Sequence, residues 1–261
     1  MSEQTYIHGT EPSEQARLAL LNRLTNGPFV KFLQVRPGMR VLEVGSGLGL
    51  LAAEVAQATE RVEVVGLERS SEQIAAAVNS PFVRFVLGDA HKLPFEDASF
   101  DLVYCRYLLE HVADPAKVLA EMRRVARPGS RVAAMENDIS LVRLDPPCPA
   151  FDEVWVALAT YQKQLGGDAH IGRRLFALFR AAGFASVELS LQPELHWQGS
   201  TGFAGWIENL LGNMRSAEKE LMSTGLCSKE LLNQAKSELT AVASHPSGSM
   251  VFAWNRAAGV S

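Results

Sequence analysis

Cysteine is scarce in this chain: three residues, Cys105, Cys148 and Cys227, stand far apart and form no CxxC. That excludes a disulfide framework and a cysteine-based zinc site, and it fits a reducing compartment. No metal-ligand spacing is visible. A basic block is also missing. Lys and Arg number 25 against 29 Asp and Glu, a formal net charge of −4, so binding to a nucleic-acid backbone is not expected. No uncharged apolar run approaches the ~18–20 residues of a membrane span, which argues against stable membrane insertion. The start, Met1-Ser2-Glu3-Gln4, lacks the basic flank and apolar run of a signal peptide. With 47% hydrophobic and 21% charged residues, the composition is that of a folded domain. The expectation is a cytoplasmic protein, monomeric or homodimeric, whose partner is a small-molecule substrate.

The apolar pattern changes character along the chain. Pro12 and Ser13 open a helix through Leu18, Leu21 and Leu24, and Gly27-Pro28 is expected to break it. From residue 40, short apolar runs alternate with helical spacing. Strands are predicted at 41–44, 62–67, 83–87, 100–104 and 131–135. Helices follow the first, second and fourth; Ser70 and Gln73 have capping-box spacing. Such alternation predicts an α/β fold with a doubly wound, mostly parallel sheet. Further on, Val187, Leu189 and Leu191 alternate as a sixth strand extending toward Trp197, and 250–254 reads as a last one. Between them run two helical patterns, one through Phe203, Trp206, Ile207 and Leu210, the other through Leu231 to Val242. These lead to one domain over 1–261: N-terminal helices at 1–35, a Rossmann-like core at 36–197 and 248–256, and a helical cap at 198–247.

Open α/β sheets bind ligands at the carboxyl ends of their strands. Here those ends carry Gly45-Ser46-Gly47-Leu48-Gly49, Glu68, Asp89, Cys105-Arg106 and Glu136-Asn137-Asp138. Glycines let the backbone turn sharply against a ligand, and the helix N-terminus behind them suits an anionic group. Glu68 can accept from ribose hydroxyls, and Asp89 from a purine amine. Leu50 replaces the last glycine of the dinucleotide fingerprint GxGxxG, which counts against an NAD dehydrogenase.

The strings VLEVGSGLG (41–49), VGLERS (65–70), GDAHKLPFEDASFDLVYCRYLLEHV (88–112) and RPGSRV (127–132) resemble class I S-adenosylmethionine-dependent methyltransferases. The likeness is to the subgroup of ubiquinone/menaquinone-biosynthesis and natural-product enzymes. It implies a seven-stranded sheet with an antiparallel last strand and S-adenosyl-L-methionine as cofactor. It further implies that Gly45, Ser46 and Gly47 line the methionine part and that Glu68 holds the ribose. Arg69 and Gln73 would lie near the adenine, Asp89 and Ala90 would bind its edge, and Cys105 or Arg106 would meet the methionyl amine or carboxylate. From the N-terminal segment at 1–35, which the resemblance makes a lid over the cofactor, Arg17 would pair with the cofactor carboxylate and Tyr6 would face the reacting methyl of the bound cofactor, on the substrate side. The stripe Phe203, Trp206 and Met214 reads most simply as core; since a helical cap has two faces, Phe203 and Trp206 also suit the wall of an apolar substrate pocket. His111 and Asp138 are the candidate bases. Plainer readings stand beside these: Arg106 paired with Glu110, Asp138 shaping a turn, His111 serving structure, His170 and His196 at the surface. The expected activity is methyl transfer to a small, partly apolar molecule. The alternative is a catalytically silent cofactor-binding module.

Overall fold

A computed structural model describes residues 12–261. In chain order the first elements are α1 (Pro12–Leu33), β1 (Arg40–Val44), α2 (Leu50–Gln57), β2 (Glu63–Glu68), α3 (Ser71–Ala75), β3 (Val83–Leu87), β4 (Phe100–Arg106), α4 (Pro115–Val125) and β5 (Ala126–Glu136). They continue with β6 (Arg143–Asp145), α5 (Pro149–Gln164), α6 (Leu175–Ala181), β7 (Val187–Trp197), α7 (Phe203–Ser223), α8 (Lys229–Ser244) and β8 (Ser249–Val260). Contacts divide the chain into two units. A sheet unit holds Thr25–Asn137, Ile171–Gln192 and Asn255–Ser261. A helical unit holds the described residues before Thr25, Asp138–His170 and Pro193–Trp254.

In the sheet unit, β3, β2, β1, β4 and β5 lie in that order and run parallel. Strand order reverses beside β1, the switch point where such sheets bind ligands. Buried parallel strands read as continuous apolar runs, and Val41, Leu42 and Val44 of β1 are fully buried. Asp114 caps α4 by accepting the Lys117 N–H at 3.0 Å, with Pro115 at the first helical position. Val118, Leu119, Met122 and Val125 then recur on one face of α4, and all four are buried. The carboxyl half of β8 pairs antiparallel with β5, from Arg131↔Val260 to Glu136↔Asn255. The mixed α/β reading therefore holds, including its antiparallel last strand.

In the helical unit, α5, α7 and α8 pack on one another. Their buried stripes include Phe151 and Val154 of α5, Phe203, Trp206, Leu210 and Met214 of α7, and Leu232, Ala235 and Leu239 of α8. The three-residue β6, which the sequence pattern did not predict, pairs antiparallel with the start of β8.

One local expectation fails. The Gly27-Pro28 break is absent, because α1 runs on to Leu33 with Pro28 inside it. An interior proline costs ~3 kcal/mol through its missing N–H and its clash with the preceding turn. Phe29 and Leu33, at most 1% exposed, offset this, since burying such side chains stabilises by ~1.5–3 kcal/mol each. The Pro28 ring itself is exposed. Pro28→Ala should therefore raise stability by about 2 kcal/mol in urea denaturation, after allowance for the freer unfolded chain; a loss would mean that the ring contributes packing.

The alternation along β7 is present as expected, but its apolar side does not face inward. Leu189, Leu191, Leu195 and Trp197 are instead more than half exposed, while Gln192 and Glu194 are buried. Period-2 alternation separates the two faces of a strand but does not say which one meets protein.

Candidate functional site

Parallel register aligns the strand ends. Val44 pairs with both Leu67 and Cys105, and Glu68 pairs with Leu87. The glycine loop, Glu68 and Arg106 therefore emerge at one edge of the sheet. Gly45, Gly47 and Gly49 take φ of +77°, +52° and +72°, values that L side chains avoid. The Gly45 and Ser46 N–H groups both donate to the Leu67 carbonyl at 2.9 Å, which pins the turn to β2. A Cβ on Gly45 would lie 2.9 Å from Leu108 Cδ1, and one on Gly49 would enter the Phe85 ring.

Glu68 ties this loop to the next. Its Oε2 accepts the Gly47 N–H at 2.9 Å. Its Oε1 accepts the Arg69 and Ser70 N–H groups at 2.8 and 2.9 Å. The carboxylate is buried. A carboxylate has roughly four acceptor positions; these three bonds leave about one for a ligand hydroxyl. Ser70 caps α3 by accepting the Gln73 N–H at 3.1 Å. The Gln73 side chain lies beside the loop, its Oε1 3.3 Å from where a Gly47 Cβ would stand.

Asp89 Oδ1 accepts the backbone N–H of His91 at 2.9 Å and lies 2.8 Å from His91 Nδ1. The backbone bond, above all, holds the Asp89 carboxyl below its ordinary range. Ala90 beside it is buried. Arg106 donates to Thr25 Oγ1 at 3.1 Å, and its guanidinium lies over the rings of Phe29 and Tyr107. Cys105 is fully buried, and burial pushes its thiol well above the ordinary range, so its side chain is inert.

Sequence reasoning assigned no task to two buried carboxyls of this unit. Glu136 is 0% exposed; its Oε1 accepts the Leu108 and Leu109 N–H groups at 3.1 and 2.9 Å. It thereby fixes the loop after β4 whose Leu108 lies against Gly45. Burial, with the nearby Glu110, pushes the Glu136 carboxyl well up. Glu43 sits within β1, and burial pushes its pKa up to about 8 despite the attraction of Arg106. A single acid in each apolar strand run was the available signal. His111 ends a 3-10 turn, Leu109–His111, with Nε2 3.9 Å from Glu110 Oε1.

The remaining predicted residues belong to the helical unit. Arg17 donates to Asn209 Oδ1 at 3.0 Å, and both are buried. Asp138 accepts from the Ser140 N–H and hydroxyl at 3.2 and 2.8 Å, shaping a turn, and lies 3.1 Å from His170 Nδ1. His170 thus has a partner the sequence did not reveal. The His170 side chain is still 42% exposed, as the surface reading expects, whereas His196 is drawn inward: its Nε2 lies 3.2 Å from Glu194 Oε2, and their side chains are 14% and 9% exposed. Phe203 and Trp206 are both buried. Tyr6 lies outside the described residues.

Comparison with known proteins decides what this edge belongs to. A methyltransferase-domain family model matches residues 42–134. The O-methyltransferase cnsE of Penicillium expansum is 32% identical over 196 residues, 71% of this chain and 67% of that one. The chain belongs to the S-adenosylmethionine-dependent methyltransferase family. A demethylmenaquinone methyltransferase of Beutenbergia cavernae is 38% identical over 117 residues, 44% of this chain and 48% of that one. The chain spans about half the length of the first curated relatives it matches, 45 and 48%. The solved structure of the Bacillus subtilis protein YcgJ shares the fold, with a TM-score of 0.58 at 20% identity over 91% of this chain and 98% of that one. Within this chain, the family match takes in the glycine loop, Glu68, Asp89 and Arg106 but ends before Glu136.

Proposed function

We propose that the protein transfers a methyl group from S-adenosylmethionine to a small, partly apolar acceptor of the quinone or natural-product type. The observation that carries the reading is the Glu68 carboxylate. It holds the amides of Gly47, Arg69 and Ser70 and keeps an acceptor position for a sugar hydroxyl. The names of the relatives, a demethylmenaquinone methyltransferase and an O-methyltransferase, support the acceptor class.

S-adenosylmethionine supplies an electrophilic methyl group on a sulfonium. In this reading Gly45, Ser46 and Gly47 would line its methionine part and Glu68 would hold its ribose. Arg69, Gln73, Asp89 and Ala90 would serve the adenine. The Cys105 backbone and Arg106 would serve the methionyl end, with Arg17 offering a second cation. Phe203 and Trp206 would contact the acceptor. The main task of such residues is orientation, because aligned reactants gain effective molarities of ~10⁵–10⁸ M. An oxygen or carbon acceptor must also lose a proton. His111 and Asp138 are the groups proposed to take it, a contribution of ~10²–10⁴-fold.

The test is to incubate the full chain with methyl-labelled S-adenosylmethionine and a cell extract. The expected result is label in a small, solvent-extractable product. Calorimetric binding of S-adenosylhomocysteine without any label transfer would instead favour the silent binding module.

A further inference from the structure

The helical unit contains a group of rings that an apolar core does not explain. Trp206 stands 5.9 Å from Trp254 and 6.4 Å from Phe252, and Phe252 meets Trp254 edge-on at 4.5 Å, all between centroids. His196 completes the group at 5.7 Å from Trp206. Three polar features sit among these rings. Trp206 is 2% exposed, yet its Nε1 has no acceptor among the described residues. Glu194, which is buried, and the partly buried His196 form a pair at 3.2 Å. Gly202, at φ +98°, faces the imidazole: a Cβ there would stand 3.5 Å from both Nδ1 and Cε1.

The first two of these do not favour stability on their own. An orphaned buried donor costs ~1–3 kcal/mol. A buried carboxylate–imidazole pair is often no better than apolar residues of the same size. The strand that carries Glu194 and His196 turns its leucines outward to bury them. Strain of this kind, where a core could have been apolar, marks a site of function.

We propose that these residues form a binding site for a planar aromatic hydroxyl compound. The walls of Trp206, Phe252 and Trp254 offer faces and edges for a flat ring. The Trp206 N–H donates to the ligand oxygen. Glu194 takes the N–H of His196 Nε2, which leaves Nδ1, on the Gly202 side, to accept the ligand O–H. The identification of this ligand with the methyl acceptor rests on the reading above; the site itself does not.

The experiment uses the full chain with ¹⁵N-labelled tryptophan, followed by NMR. The probes are 2-naphthol and 2-methylnaphthalene, the same ring system without the oxygen. The expected result is a saturable downfield shift, caused by 2-naphthol alone, of the one indole N–H signal that Trp206→Phe removes. His196→Gln should weaken 2-naphthol binding about tenfold, the loss of one hydrogen bond. It should leave S-adenosylhomocysteine affinity as it is. The proposal is overturned if that indole signal does not move with 2-naphthol, if 2-methylnaphthalene moves it equally, or if His196→Gln binds 2-naphthol like the wild type. Should Trp206→Phe not fold, the comparison of probes and the His196→Gln titration still decide. Failure of S-adenosylhomocysteine to bind would count against the methyltransferase reading and not against the ring site.

Discussion

Glu68→Gln should weaken S-adenosylhomocysteine binding by roughly 10- to 140-fold in calorimetric titration. Both carboxylate oxygens of Glu68 face backbone N–H groups, Gly47 on one side and Arg69 and Ser70 on the other. A glutamine must turn its NH₂ toward donors whichever way round it sits, so at least one of these bonds is lost. The acceptor for a ribose hydroxyl also loses its charge, and hydrogen bonds to charged groups are worth ~1.5–3 kcal/mol. At 1.4 kcal/mol per tenfold, that range gives the stated loss. The same change should lower stability by about 1–3 kcal/mol, which circular dichroism and urea denaturation will separate from binding. A folded Glu68→Gln variant with unaltered affinity would remove Glu68 from the cofactor site.

Stability should fall as pH rises from about 4.5 to about 8, in part through Glu43. Glu43 has an ordinary pKa of 4.5 when the chain is unfolded and about 8 when folded, because burial disfavours its charge. Between these values the folded state holds a proton that the unfolded state has released. Stability is therefore complete below the lower value and is lost as pH climbs through the upper one. The separation corresponds to a loss on the order of 5 kcal/mol. Glu43→Gln cannot ionise and should not share this loss. The measurement is urea denaturation of both proteins at pH 5 and pH 8.5, read as the difference between them. Parallel pH dependence of wild type and Glu43→Gln would show that Glu43 is ionised in the fold.

The order of strands and helices from 40 to 136 was legible because each buried parallel strand is a short apolar run bounded by turn residues. The glycines at 45, 47 and 49 and the acid at 68 were legible for a local reason. Backbone at positive φ and a carboxylate at a strand end leave their mark in one or two residue types. The continuation of α1 through Pro28 was not legible, since the decision lies in how deeply Phe29 and Leu33 are buried. The tasks of Glu43 and Glu136 were hidden too. Their hydrogen bonds and desolvation come from strands and loops distant along the chain.

The sequence by itself determined the sheet, the glycine loop and the carboxylates at its edge, because periodicity and turn chemistry act over a few residues. Only the tertiary structure decided which face of β7 is buried, that His170 meets Asp138, and that His196 meets Glu194 beside Trp206. Alternation leaves the inward face of a strand open until something packs on it. A histidine's partner is likewise set by packing across the fold, and no local pattern records it.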